Sequence, residues 1–530
     1  MKGRFIGEST RLISDILEIS DDLNIGGYIL TADIEKAFDS MDHQFLLAAL
    51  HKFGFGTVFI DWIKTLLSKN ESCVLNGGVT STYFLLKRGA RQGDPIAAYL
   101  FIIALEIFFI LARSNNNIRK LNILENEFLL SAYADDTTFF VQDIASIRLI
   151  LDIFTIYSTY SGFKLNLTKC ELCGIGSLKG VPTALCGVKN VNLTSNTIRI
   201  LGVHYSYDPV LTNDKNFISA LKKIIDVLKV WKMRNLSLIG KITIFKTLAI
   251  SKIIYISYMS CVPDEILYQL KNIHEDFIWG GKKAKIKHST LIADYSQGGL
   301  RDIDIDTKIK ALQLAWIKRL FDNNYHPWKI LPKCLLSKTF PHGISIFFPN
   351  MEFKENGNFK KLPKFYQNLL HFWSEFSPGE PITTSAILSE CIWHNRRIKI
   401  GGEVITANFL KLNRPVFVAD FFDDAGVLKT WTCFQNDITV NNSLFFKWRQ
   451  IIAAFPKEWT NYLTKNGGLK LLCEFRPHLI SHAKLYTLEK LTSKELYKIV
   501  IQLKVEAPSS QKKIVSLIGI EDLPCKKTTT

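Results

Sequence analysis

Two adjacent acids, Asp135 and Asp136, stand between two apolar runs, Phe128-Leu129-Leu130-Ser131-Ala132 and Thr137-Thr138-Phe139-Phe140-Val141. Short apolar runs meeting at small and acidic residues read as a β-hairpin, here with Tyr133-Ala134-Asp135-Asp136 at its tip. Two like charges side by side are costly unless a cation neutralises them. Carboxylates are the usual anchors of Mg²⁺, which keeps waters and takes up substrate phosphates. The pattern points to a metal site for phosphoryl or nucleotidyl transfer; a polar hairpin turn is the plainer alternative.

A third acid lies about a hundred residues upstream. Gly27-Tyr28-Ile29-Leu30-Thr31-Ala32-Asp33-Ile34 reads as a strand running out at Asp33. The chain then turns into a helix that Ser40 or Asp42 caps, with Phe45, Leu46, Ala49, Leu50 and Phe53 as its apolar stripe. An acid at a strand end plus an acid pair on a hairpin is a two-metal arrangement for nucleotidyl transfer. Between them, Arg88-Gly89-Ala90-Arg91-Gln92-Gly93-Asp94-Pro95 follows a strand-like Tyr83-Phe84-Leu85-Leu86 and precedes an apolar helix, Ile96 to Arg113. Its glycines permit close backbone approach, Pro95 suits a first helical turn, and Arg88, Arg91 and Gln92 supply donors for phosphate, sugar or base.

Taken in order, these elements resemble the palm of a reverse transcriptase of the non-LTR, LINE-type retrotransposon class. Thr31 to Asp39, Arg88 to Pro95 and Ala132-Tyr133-Ala134-Asp135-Asp136 resemble that family's first three catalytic motifs. Ser161-Gly162-Phe163-Lys164-Leu165-Asn166-Leu167-Thr168-Lys169 resembles its fourth, and Ile200-Leu201-Gly202-Val203 its primer-grip region. Leu236 to Lys241, Phe277-Ile278-Trp279-Gly280, Gly298-Gly299-Leu300 and Trp316 to Leu320 are similar to the family's thumb and post-thumb segment. The resemblance covers about residues 1 to 330 and is generic beyond. It implies an α+β right-hand polymerase: a palm of antiparallel sheet and helices, an α-helical thumb, and a mixed C-terminal region. The implied divisions are 1–26 (partial fingers), 27–208 (palm), 209–335 (thumb and post-thumb) and 336–530 (role unassigned).

The resemblance further implies RNA-directed DNA synthesis on an RNA template from a DNA primer with dNTPs. Two Mg²⁺ ions, or Mn²⁺ in their place, would sit on Asp33, Asp135 and Asp136 with the Ile34 carbonyl. Arg91, Gln92 and Gly93 would meet the incoming nucleotide or template. Lys169, with Lys164 as a competitor, would shield or protonate pyrophosphate. Phe38, five residues after Asp33, would fill the space of a ribose 2′-hydroxyl and so favour deoxynucleotides; an aromatic on the helix's core face is the alternative. Lys2-Gly3-Arg4-Phe5-Ile6 resembles a point already inside the fingers, so the resemblance implies an N-terminally truncated element without its upstream fingers or an endonuclease domain. A catalytically idle, nucleic-acid-binding remnant and an RNA-templated RNA polymerase are the rivals.

Charge agrees with a polyanionic partner. The net charge is +17 over 530 residues, an excess that favours phosphate contacts through counterion release. Lys215 to Lys252 holds nine Lys or Arg and one acid, a surplus of eight in 38 residues. The stretch reads as two amphipathic helices. In the first, Leu221, Ile224, Ile225, Leu228 and Trp231 point inward and Lys222, Lys223 and Lys229 outward. In the second, Ile242, Phe245 and Leu248 point inward and Lys241 and Lys246 outward. The run Lys282-Lys283-Ala284-Lys285-Ile286-Lys287 reads as a solvated loop or a nuclear-localisation patch.

The ten cysteines form no paired framework; Cys170-Glu171-Leu172-Cys173 is a lone C-x-x-C, and Cys186 and His204 make poor companions for it. Reduced thiols place the chain inside the cell, in nucleus or cytoplasm. The run Ile96 to Ala112 is short for a membrane span and holds Glu106, so it reads as the helix beneath the palm sheet. After about residue 335, Leu335 to Gly357 reads as loop and short strand, Lys360 to Phe376 as helix, and Phe445 onward as a helix whose Trp448 packs inward. Asp420, Asp423 and Asp424 lack the company a ribonuclease H site needs.

Overall fold

The computed structural model describes residues 5–91, 93–180, 192–193, 197–206, 208–340, 343–347, 350–351, 359–375, 383–406, 409–410, 412, 414–423, 425–466, 478–481, 484–487 and 491–505. The chain forms two compact units, Met1–Lys215 and Asn216–Thr530.

The first unit is α+β. Its sheet comprises β1 (Gly27–Ala32), β2 (Leu130–Tyr133), β3 (Asp136–Val141), β4 (Glu171–Ile175) and β5 (Asn192–Leu193), in the order β5-β4-β1-β3-β2. All neighbours are antiparallel except the β4–β5 edge pair. Side chains alternate faces along a strand, so Tyr28, Leu30 and Ala32 enter one core while Ile29, also buried, faces the other way. That core is closed by α2 (His43–Lys52), α3 (Ala97–Ser114) and α4 (Ile144–Ser161). Helix α1 (Ile6–Asp22) contacts β2 and β4.

Helix α3 is long and apolar enough to cross a membrane by length and composition alone. Here Leu100, Phe101, Ala104, Leu105 and Phe108 are buried in the core. Phe108 packs edge-on against Phe139 and Phe154 at centroid distances of 5.7 and 5.0 Å, and the Tyr157 hydroxyl donates to the Ala104 carbonyl at 2.9 Å. Each such ring stabilises by ~1.5–3 kcal/mol through burial. The helix starts at Ala97 with Ile96 as its cap residue, so Pro95 lies just ahead of the first turn. Asp42, not Ser40, caps α2, accepting from the Phe45 N–H at 3.0 Å. Of the strand-like Tyr83–Leu86, only Phe84–Leu85 pairs, with Glu71–Ser72.

The second unit is largely helical. It opens with α5 (Ser219–Lys232), α6 (Leu238–Ile244), α7 (Ser251–Met259) and α8 (Asp264–Trp279), followed by α9 (Ile305–Phe321). Leu221, Ile224 and Leu228 are buried as the periodicity predicts, and Lys222, Lys223 and Lys229 are exposed. Ile225, however, is exposed. Leu248 is exposed too, because Phe245–Ala249 forms a π-turn. Each residue of the wider turn rotates by less than in a regular helix, so the phase lags, and Ala249 and Ile250 enter the core in its place. Leu335 continues a helix to Thr339 rather than opening a loop. Lys364–Glu375 is helical, and Trp448 is buried among Trp431, Phe434 and Phe445.

Glu390 is fully buried, and Asn350 and Asn395 donate to its two oxygens, each at 2.9 Å. Burial pushes its carboxyl up to about 8 despite those donors. Between the ordinary carboxylate range and that value, the folded chain keeps a proton that the unfolded chain releases. Stability therefore falls as pH rises from about 5 to 8. Glu390→Gln removes the ionisation, so its thermal midpoint gains on the wild type as pH rises across that window. A gap that stays constant with pH contradicts the assignment.

Candidate active site

The register of the sheet assembles the three acids. In β1–β3, Ala32 faces Thr137. In β2–β3, Tyr133 faces Asp136 across a two-residue turn, Ala134-Asp135. Ala134 adopts φ 55°, which lets the hairpin close tightly. Asp33, one residue past β1, thus falls opposite Asp136, with Asp135 at the tip beside it. All three carboxylates are solvent-accessible. The Asp136 carboxyl is raised above its ordinary range, first by partial burial and then by the charges of Asp135 and Asp33; the Arg199 guanidinium opposes this. Acids set at neighbouring ends of paired strands are a donor set for a divalent cation, with hard oxygen ligands and excess negative charge.

The segment after α4 runs alongside Asp33. The Glu35 N–H donates to the Lys164 carbonyl at 2.8 Å, and the Asn166 N–H to the Asp33 carbonyl at 2.9 Å. Ile34 bridges Leu165 between these two bonds. Because backbone groups alternate sides along an extended chain, the Ile34 carbonyl is left on the opposite edge, the edge along which β3 begins at Asp136. Lys169 Nζ lies 3.8 Å from Asp33 Oδ2, whereas Lys164 contributes its carbonyl. An exposed pair at this distance adds little stability, so its interest is positional.

The glycine-rich loop is docked onto the turn after β1. The Gly89 N–H donates to the Met41 carbonyl at 2.8 Å, and the Ala90 N–H to the Phe38 carbonyl at 2.7 Å. His43 Nε2 donates to the Gly89 carbonyl at 2.7 Å. Gly89 has φ 83°, and a Cβ there would lie 2.8 Å from backbone atoms of Phe38 and Asp39, so only glycine fits. Phe38 is half-buried and stacks on Phe101 with centroids 4.9 Å apart and planes at 29°. Core packing thus holds one face of a ring that remains partly accessible. Arg91 Nη2 donates to Asn70 Oδ1 at 2.7 Å. Gly93 has φ 91° with open space around it. Gln92 lies outside the described residues.

Two residues near the site carry no clear signal in the sequence. The charge of Arg199 acts on Asp136 from the strand Thr197–Ile200, paired with Val203–Ser206 in the hairpin whose turn is Leu201-Gly202. The Ile200-Leu201-Gly202-Val203 pattern marks this neighbourhood but not the cation. His43 has no local signal at all. Two expected outward cations are instead engaged: Lys241 Nζ donates to the Ile278 carbonyl at 3.0 Å, and Lys246 to the Arg301 carbonyl. Lys241 thus ties its helix to the end of α8, and Lys246 to the loop before α9. Cys170 and Cys173 are buried thiols, and Cys186 lies outside the described residues.

Residues 8–205 match the family described as reverse transcriptase (RNA-dependent DNA polymerase). These residues are a reverse transcriptase domain, a class of enzyme that works with divalent metal ions, an RNA template and a primer. More narrowly, its similarities run to proteins of transposable elements. The chain is 27% identical over 415 residues to the transposon TX1 uncharacterized 149 kDa protein of Xenopus laevis, covering 75% of this chain and 31% of that protein. It is 29% identical over 161 residues to the retrovirus-related Pol polyprotein from type-2 retrotransposable element R2DM of Drosophila melanogaster, covering 30% and 15%. The chain spans less than a third of the length of either relative. Among solved structures, telomerase from Candida tropicalis in complex with a TWJ fragment of telomeric RNA aligns over 53% of this chain and 43% of that one, at 14% identity and a TM-score of 0.31; that likeness is too loose to refine the fold.

Proposed function

We propose that the chain is an RNA-directed DNA polymerase that extends a DNA primer on an RNA template with dNTPs. The observation that carries this is the register that sets Asp33 opposite Asp136 and beside Asp135, within a reverse transcriptase domain. Asp33, Asp135, Asp136 and the Ile34 carbonyl would hold two Mg²⁺ ions. Bound there, the ions would lower the pKa of the primer 3′-hydroxyl and offset charge on the triphosphate and the leaving pyrophosphate. Lys169, held beside Asp33, offers its ammonium to the departing pyrophosphate. Arg91, Gln92 and Gly93 would meet the incoming nucleotide or template. The exposed Lys222, Lys223 and Lys229 of α5 supply phosphate contacts in the manner of a thumb. Buried, reduced cysteines favour an intracellular setting, nuclear or cytoplasmic; a tagged chain found outside the cell would contradict it.

Phe38 supplies sugar selection. Its ring is fixed from below by Phe101, so its exposed edge cannot retreat from a 2′-hydroxyl. Phe38→Ala is expected to raise ribonucleotide incorporation relative to deoxynucleotide by about a hundredfold. Unchanged sugar discrimination in that variant returns Phe38 to a purely structural role.

Template choice tests the assignment. Extension on an annealed RNA template, with salt-sensitive binding of that duplex, is the expected result. Tight RNA binding with no extension under any divalent ion would instead describe a nucleic-acid-binding remnant.

A further inference from the structure

A second cluster of ligands lies wholly within the second unit. His274 on α8, His288 at the start of the short helix His288–Leu291, and Asp302 in the loop before α9 each offer a donor atom, and these atoms lie within 4.8 Å of one another. His274 Nε2 is 3.1 Å from Asp302 Oδ1, and His288 Nε2 is 3.9 Å from Asp302 Oδ2. The Asp302 side chain is fully buried, and its Oδ2 has no hydrogen-bond partner among the described residues. A buried oxygen left unpaired is costly, and this one faces an imidazole nitrogen just beyond bonding distance. Lys246 also faces Asp302, but its ammonium donates to the Arg301 carbonyl and leaves Oδ2 unmet.

The surroundings of His288 strengthen the case. Its other ring nitrogen, Nδ1, is 3.9 Å from Asp304 Oδ2. Asp304 is fixed in turn, capping α9 by accepting from the Thr307 N–H at 2.8 Å. A carboxylate behind an imidazole is how proteins set the tautomer and ring orientation of a metal-ligating histidine. Two imidazoles and one carboxylate are a donor set for a borderline cation such as Zn²⁺, whereas Mg²⁺ prefers an all-oxygen octahedron.

We propose that His274, His288 and Asp302 bind one Zn²⁺ ion, with Asp304 orienting His288 and a water completing the coordination. Ligation through His274 Nε2 requires the proton it now directs at Asp302 to move to Nδ1, so that a neutral imidazole offers its lone pair to the ion. The ion would tie α8, the helix His288–Leu291 and the loop before α9 into one block.

The test uses the full chain, stripped with a chelator and equilibrated with Zn²⁺ in an excess of Mg²⁺ that keeps the palm carboxylates occupied. Metal analysis should find one Zn²⁺ per chain. His288→Ala should weaken zinc affinity at least about tenfold, and because His288 is 43% exposed its removal should leave the fold intact. Substituted Co²⁺ should give the absorption of a four-coordinate site in the wild type and lose it in His288→Ala. Asp135→Ala should retain the zinc, which separates this site from the palm. Equal zinc in wild type and His288→Ala, no retained zinc, or zinc lost in Asp135→Ala would each overturn the proposal.

Discussion

Asp135→Ala is expected to lower metal-dependent primer extension by at least about a thousandfold while leaving affinity for RNA within about twofold. The two effects separate because the acid lies at a hairpin tip and the exposed lysines of α5 lie in another unit. Asp135 packs into no core, so stability should change by no more than about 0.5 kcal/mol. The variant also carries its own control. Asp135 is the largest charged contributor to the raised Asp136 carboxyl, after burial, so removing it should move Asp136 back toward the ordinary range. Full activity would exclude Asp135 from the metal site; joint loss of activity and RNA binding would indicate a damaged fold.

The second large effect is expected at Gly89. Gly89 and Gly93 both adopt positive φ, 83° and 91°, but only Gly89 faces backbone atoms at 2.8 Å. Gly93→Ala should therefore incur conformational strain alone, ~1 kcal/mol. Gly89→Ala adds a clash that neither Phe38 nor Asp39 can relieve without moving the turn after β1. For a unit of this size the two costs correspond to midpoint losses of roughly 2–4 °C at Gly93 and about twice that or more at Gly89. Gly89→Ala should also raise the dNTP KM, because the loop it displaces carries Arg91. Equal losses at the two glycines would show that the docking of the loop on Phe38 is not what requires glycine.

The palm is legible in the sequence because its determinants are local. The hairpin carrying Asp135 and Asp136 follows from two apolar runs around a short acidic turn, and the strand that ends just before Asp33 from a β-rich run meeting charge. Legibility fails where an outcome depends on a phase or on a distant partner. A regular helix would place Leu248 inside; the π-turn at Phe245–Ala249 gives its place to Ala249 and Ile250. A charge on a helix reads as solvated, yet carbonyls 37 and 55 residues away engage Lys241 and Lys246. The charge of Arg199 reaches Asp136 only through tertiary structure. Likewise, the histidines near Asp302 are separated in sequence, with no spacing motif to bring them together. In the C-terminal half the sequence indicates a helix from Lys360 to Phe376, found at Lys364–Glu375, but not the buried Glu390, whose neighbours Asn350 and Asn395 come from loops.

If Asp33, Asp135 and Asp136 serve RNA-templated synthesis of DNA, primer extension depends on them and on a divalent ion. Single-nucleotide addition to a DNA primer on an RNA template tests it most directly, measured with a dNTP and with the matching NTP, in Mg²⁺ and after chelation. The expected result is addition of the deoxynucleotide in Mg²⁺, addition of the ribonucleotide slower by about a hundredfold or more, and neither after chelation. Addition that survives chelation, or equal use of both nucleotides, would contradict it.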